Sequence, residues 1–218
     1  MEILYEDNAI TVAVKPPNTV SEQTERGDGF ADLLAERNPN RYVGVVHRLD
    51  RGVGGVMVYA RTPAAAAKLS AAVQSRTFQK EYRALIHGEP AQPSATLRDL
   101  LFHDRMRNKT FVVERERHGV KEAILDYAVL ERRTSEEFGV HCLVKVVLHT
   151  GRTHQIRVQF ASRGLPLAGD GKYGSREKCP FIGLWAYRLT FPHPITGKTV
   201  TAEALPDGEL SPWSYVEF

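Results

Sequence analysis

His47-Arg48-Leu49-Asp50 follows the apolar stretch Val43-Gly44-Val45-Val46, and Gly151-Arg152-Thr153-His154-Gln155-Ile156-Arg157 follows the apolar run Leu143 to Leu148. The first stretch reads as a carboxylate leaving a short buried strand, the second as an arginine entering a helix. An aspartate beside an arginine keeps its negative charge and a fixed position. That suits a carboxylate nucleophile better than a pair of carboxylates sharing one proton.

Working outward, Ile10 to Val14 alternates as a strand and stops at Pro16-Pro17. Phe30 to Arg37 reads as a short helix, Val43 to Val46 as a short strand and Gly55 to Ala60 as another. Thr62-Pro63 supplies an N-cap and a first-turn proline, so the alanine-rich run to about Ser75 is a helix. Tyr82 to His87 is a strand that ends at Gly88, and residues 89–98, rich in Pro, Ala and Ser, read as a loop. Phe111 to Glu114 and Ala123 to Leu130 are strands on either side of a polar turn at His118-Gly119. Leu143 to Leu148 is the most apolar strand. Thr150-Gly151 is expected to open a helix that closes at Gly164. On that helix Thr153 and Arg157 would share a face, with Ile156 and Phe160 on the neighbouring, inward one. Leu184 to Phe191 and Thr199 to Ala204 form a hairpin around Ile195-Thr196-Gly197-Lys198. Many strands with about three helices favour an α+β fold with a mixed, largely antiparallel sheet and a few flanking helices. No repeat or linker divides residues 1–218, which read as a single domain.

At 218 residues, 42% hydrophobic and 25% charged, the chain suits a soluble globular protein. No apolar run is long enough to span a bilayer, and the acidic start Met1-Glu2-Ile3-Leu4-Tyr5-Glu6-Asp7 shows no secretory signal. Cys142 and Cys179 fit no CxxC pattern, so two free thiols in a reducing cytoplasm are expected. The net charge of +3 is unevenly spread. Residues 1–40 carry eight acidic and three basic side chains, whereas residues 141–178 carry seven basic and two acidic. A positive surface around a cleft is what a polyanionic substrate needs, although an ordinary solvated face accounts for the same charges.

The two opening motifs have a family likeness. His47-Arg48-Leu49-Asp50 with Arg51-Gly52-Val53-Gly54-Gly55, then Gly151 to Arg157 with Gly164-Leu165-Pro166-Leu167-Ala168-Gly169-Asp170 and Tyr173-Gly174, resembles the RluA-type pseudouridine synthases. The likeness covers nearly the whole chain. It begins at Ile3-Leu4-Tyr5-Glu6-Asp7 and Val14-Lys15-Pro16-Pro17, passes through Lys80-Glu81-Tyr82 and ends at Phe191-Pro192-His193-Pro194. It implies the pseudouridine synthase fold with a central RNA-binding cleft, and isomerisation of particular uridines in ribosomal or transfer RNA. Relatives often carry an N-terminal S4 RNA-binding module; this chain begins at the first core strand and resembles the catalytic domain without one. A monomer is the simplest state for this size.

The resemblance also implies roles for particular residues. Asp50 becomes the nucleophile or the base acting at the sugar carbon, as carboxylates do in glycoside cleavage; by itself Asp50 also fits a turn aspartate before Gly52. Arg157 pairs with the catalytic aspartate. Tyr82 stacks on the target uracil and removes the C5 proton, whereas a strand tyrosine is otherwise an ordinary core residue. Arg48 fills the space left by a flipped base or holds a phosphate, unless it serves a structural salt bridge. His47, Arg152 and His154 join the substrate-binding set; His47 is expected to bond backbone groups of its loop and has no catalytic role. Leu184 packs under the base. Arg105, Arg107 and Lys109 form a basic cluster read as a loop or strand end that meets RNA phosphates, with Lys172, Arg176 and Lys178 extending it.

Two departures from the family pattern stand out. Val53-Gly54-Gly55 replaces the usual Thr-Ser-Gly, and Leu184-Trp185-Ala186 stands where Leu-His-Ala is usual. Other chemistries find little support. Gly52-Val53-Gly54-Gly55 precedes a strand and is no dinucleotide fingerprint, there is no P-loop, and His149 and His154 lack zinc-protease spacing. No metal or organic cofactor is implied. An RNA-binding protein that keeps the scaffold without catalysis is one alternative. A glycosidase or nucleoside hydrolase using Asp50 is another, and it needs a second placed carboxylate such as Asp170.

Overall fold

The computed structural model describes residues 1–135, 139–209 and 211–216. Along the chain run β1 (Glu2–Glu6), β2 (Ile10–Lys15), α1 (Phe30–Arg37), β3 (Gly44–Val45), β4 (Gly54–Ala60), α2 (Pro63–Gln74), β5 (Gln79–His87) and β6 (Ser94–Asp104). Then follow β7 (Lys109–Val113), β8 (Val120–Ser135), β9 (Gly139–Leu148), α3 (Gln155–Ala161), β10 (Leu184–Pro192) and β11 (Thr199–Glu203). These form two compact units, Met1–Lys80 with Trp185–Pro206 and Glu81–Leu184 with Asp207–Phe218. The class is α+β, with a mixed, mostly antiparallel sheet and three α-helices.

In the first unit the strand order is β1-β2-β4-β10, with β3 added to β4 and β11 to β10. The one parallel contact within it pairs Trp185 and Ala186 of β10 with Gly54 and Gly55 of β4. All seven residues of β4 are buried, which explains its unbroken apolar sequence. Because strand side chains alternate, the two helices serve opposite faces of β4. Val56, Val58 and Ala60 share a core with Ala65 and Leu69 of α2. Tyr59, of the other parity, meets the Phe30 ring of α1 at 5.9 Å. Thr62 caps α2 by accepting the Ala65 N–H, as the Thr-Pro pair predicts.

The second unit runs β5-β9-β8-β6-β7, each pair antiparallel. The Pro- and Ala-rich stretch expected to be a loop over residues 89–98 is strand from Ser94 onward. Residues 94–102 of β6 pair with 120–128 of β8, and Leu97 and Leu101 are buried. Partners far away in sequence override the weak local preference there. The expected strand Val43 to Val46 shrinks to two residues. The expected helix from Thr150 begins only at Gln155, because the Gln155 side chain holds the preceding loop. Its Oε1 accepts from Thr150 Oγ1 at 2.8 Å and from the Arg152 N–H at 3.0 Å. Thr153 therefore lies outside the helix and shares no helical face with Arg157. Gly164 closes this segment as expected, at φ +75°. Among the described residues no helix is long and apolar enough to cross a membrane.

Candidate active site

In the first unit Asp50 sits in the loop from β3 to β4, half-buried, and the Val53 N–H donates to its carbonyl at 3.0 Å. Backbone contacts fix this loop. Ser21 Oγ donates to the Leu49 carbonyl at 2.9 Å and accepts the Leu49 N–H at 3.1 Å. His47 is buried, and its Nε2 accepts the Val58 N–H of β4 at 3.2 Å. Burial, reinforced by the charge of Lys80, holds His47 well below the usual histidine range, so the ring is neutral. It anchors the loop to the neighbouring strand rather than to its own loop. Arg48 is exposed and its Nη1 meets Glu22 Oε1 at 2.7 Å.

Lys15 is the residue that sequence reasoning left without a role. At the end of β2 it is 0% exposed, and its Nζ donates to the carbonyls of Thr19 at 2.7 Å, Pro16 at 2.9 Å and Arg51 at 3.5 Å. Burial lowers the Lys15 pKa to about 8, and the negative charge of Asp50 pulls the other way. A buried ammonium thus links the turn after β2 to the Asp50 loop and lies within electrostatic reach of its carboxylate. The family motif Val14-Lys15-Pro16-Pro17 was the available signal.

The two departures from the family pattern meet in this unit. A Cβ at Gly54 would lie 2.3 Å from Cζ3 of Trp185, and one at Gly55 would lie 2.3 Å from the Ala186 carbonyl oxygen. Trp185 Nε1 donates to the Ala204 carbonyl at 2.8 Å, which fixes the indole. The bulky indole occupies space that a side chain at position 54 would take, so the glycine is what lets the tryptophan sit there.

In the second unit Arg157 of α3 is buried, and it grips the buried Asp170. Nε donates to Oδ2 at 2.7 Å and Nη2 to Oδ1 at 2.8 Å. This two-pronged bond is the geometry in which a guanidinium is held most firmly. Both Asp170 oxygens are engaged by the guanidinium and the residue is 1% exposed, which gives it no water to activate in a hydrolase. Tyr173 gathers three of the expected residues. Its ring centre lies 5.0 Å from Arg157 Cζ and 5.3 Å from Lys109 Nζ. Its hydroxyl accepts the Thr110 N–H at 2.8 Å and shares a hydrogen bond with His154 Nδ1, 2.9 Å away. Burial pushes the Tyr173 hydroxyl above its ordinary range, against the Thr110 N–H and the Arg157 charge. His154 adopts the left-handed conformation, φ 54°, in a non-glycine residue. Its bond to Tyr173 helps hold that strained turn immediately before Arg157's helix. Asp170 and Tyr173 were visible only as motif members, with no function attached.

Tyr82 lies in β5 opposite Val146 of β9, with its ring buried. Leu184 is also buried. Arg105 and Arg107 stand at the exposed tip of the β6–β7 hairpin, around the fully exposed Met106. Arg105, Lys121 and Arg152 line one open groove of about 710 Å³ with His103 and His118, and Asp104 is its single acid. Arg152 Nε donates to the Glu122 carbonyl at 2.9 Å and Lys172 Nζ to the Asn108 carbonyl at 3.0 Å, so two cations are tied down beside the hairpin.

Known proteins match this description. The family model for RNA pseudouridylate synthase covers residues 9–162. An uncharacterized RNA pseudouridine synthase of Synechocystis is 32% identical over 94% of this chain and 65% of its own length. The ribosomal large subunit pseudouridine synthase D of Neisseria meningitidis is 35% identical over 95% of this chain and 59% of its own. The chain thus spans under two thirds of either relative. The structure of human RNA pseudouridylate synthase domain containing 1 superposes with a TM-score of 0.80 at 24% identity, over 97% of this chain and 85% of that one, so the two share a fold.

Proposed function

The chain belongs to the RNA pseudouridylate synthase family, RluA type, and from that we propose that it isomerises particular uridines of a structured RNA, ribosomal or transfer, to pseudouridine. The single observation carrying this reading is that the family match over residues 9–162 spans the Asp50 loop, Tyr82 and the Arg157 helix together. Asp50 acts at the sugar carbon, as nucleophile or as base. The glycosidic C1′–N1 bond breaks, the uracil turns, C5 bonds to C1′, and the C5 proton leaves as N1 takes one up. Substrate and product have the same atoms, so the chemistry is an isomerisation. Tyr82 stacks on the base and takes the C5 proton, and Leu184 packs beneath it. Arg157, its orientation fixed by Asp170 and Tyr173, takes the charge-positioning role that the family motif gives it.

Arg105, Arg107, Lys109 and Arg152 belong to the surface that receives phosphates, the buried His154 serves by holding the turn before the Arg157 helix, and Arg48 meets the flanking backbone once the target base has flipped. His47 serves by shaping the Asp50 loop. The reaction takes place in the cytoplasm, on a monomeric chain acting as one catalytic domain.

The test is release of tritium from RNA labelled at uridine C5, using RNA from a strain that lacks this gene. Release of tritium while uracil stays in the RNA is expected. Free uracil would point to a hydrolase, and RNA binding with no release would point to a binding protein.

A further inference from the structure

A second cluster of chemically capable side chains lies in the second unit among residues that the proposed reaction does not use. His87 closes β5 and His141 stands directly opposite it on β9. Their rings lie 4.4 Å apart, and both aim Nε2 at one oxygen of Glu177. Glu177 Oε1 is 2.6 Å from His141 Nε2 and 3.1 Å from His87 Nε2. The three donor atoms all lie within 4.8 Å of one another. Cys179 Sγ lies 3.8 Å from the other Glu177 oxygen, Oε2. The His141 and Glu177 side chains are only 4% and 5% exposed.

We propose that His87, His141, Glu177 and Cys179 form a tetrahedral site for a divalent transition-metal ion, zinc by donor chemistry. Imidazole, carboxylate and thiolate are each zinc ligands, with bonds of about 2.0–2.3 Å, and four of them suit tetrahedral coordination. Such bonds set tetrahedral donors roughly 3.3–3.8 Å apart. The His87, His141 and Glu177 donors are thus slightly too tight around Glu177 Oε1, and the Cys179 thiol, which stands outside that group of three beside Glu177 Oε2, turns inward to complete the site. Binding takes both imidazoles in the tautomer that frees Nε2 and releases the Cys179 thiol proton to solvent, one proton per ion.

Sequence spacing hides the site, because the ligands come from the ends of two strands and from a separate loop. The ion's role is structural. A Cβ at Gly169 would lie 2.2 Å from the Phe181 carbonyl oxygen and 2.8 Å from Cys179 Cβ. The loop that the ion ties to the sheet therefore packs directly on the residue before Asp170.

The test is cobalt(II) titration of the chelator-treated full chain, with zinc added afterwards. One cobalt per chain is expected, giving intense tetrahedral d–d bands and a thiolate charge-transfer band, both erased by zinc. Glu177→Gln and His87→Gln should weaken zinc binding by more than the about 10–100-fold that loss of an outer-shell partner costs. Cys179→Ser should lose the charge-transfer band alone. Far-UV circular dichroism checks that each variant is folded. Weak octahedral bands, or tetrahedral bands that persist in folded Glu177→Gln, would overturn the site. Tetrahedral bands without a thiolate band in the unaltered chain would overturn the assignment of Cys179.

Discussion

The Asp50 loop and the Arg157 helix solve one problem, the exact placement of a charged group, by opposite means. Around Asp50 the anchors are backbone groups, held by a lysine ammonium, a serine hydroxyl and a neutral histidine ring, and the carboxylate itself stays half-exposed. Around Arg157 the anchors are side chains, the Asp170 carboxylate and the Tyr173 ring, and the guanidinium is buried. The difference suits the proposed roles. A group that attacks substrate must be reachable, so only its backbone can be clamped. A group that orients another charge works best desolvated and held from behind.

The largest expected effect is on the side-chain network. Asp170→Asn leaves a buried guanidinium without that carboxylate and should cost about 3–5 kcal/mol of stability in urea unfolding. A loss under about 1 kcal/mol would mean that the ion pair does not hold the helix start.

Next comes the backbone side. Gly54→Ser forces a side chain against the Trp185 ring. Overpacking of this kind costs about 1–3 kcal/mol. Adding Trp185→His should recover most of it, as a coupling above about 0.5 kcal/mol in a double-mutant cycle. Additive effects would mean that the two departures are independent.

The hairpin tip tests the charged surface. Changing Arg105 and Arg107 to Ala together should weaken RNA binding and flatten the salt dependence by one to two phosphates' worth, about 0.7–0.9 log units each. An unchanged slope removes the tip from the RNA surface.

The smallest effect reads the electrostatic link within the first unit. NMR titration of Lys15 should give a midpoint near 8, and Asp50→Asn should move it lower, because the aspartate charge raises it. A lysine held below its ordinary 10.5 binds fewer protons when folded than when unfolded, so its contribution to stability should rise as pH climbs from about 8 toward 10.5.

Local pattern made much of the architecture legible. Alternation marked β2, an apolar run marked β4, the Thr62-Pro63 cap marked α2, and the turn at residues 195–198 marked the β10–β11 hairpin. It missed where distant partners decide. β6 starts inside a loop-like composition because β8 lies beside it. The start of α3 is delayed by a side chain, Gln155, that turns back on its own loop. The motifs exposed the charged residues, but not what holds them. Lys15 lies 36 positions from Arg51, whose carbonyl it reaches, and Asp170 lies 13 from Arg157. Likewise Gly54 and Trp185 looked like two separate oddities until strand pairing placed one against the other.

The most direct test of the central claim is the single-turnover rate of Asp50→Asn on C5-tritiated RNA, measured beside its RNA affinity and its unfolding midpoint. Turnover should vanish, with affinity within about tenfold because phosphate contacts supply most of it, and with the fold intact because the loop is held by its backbone. Tritium release near the unaltered rate from a folded Asp50→Asn protein would contradict the assignment.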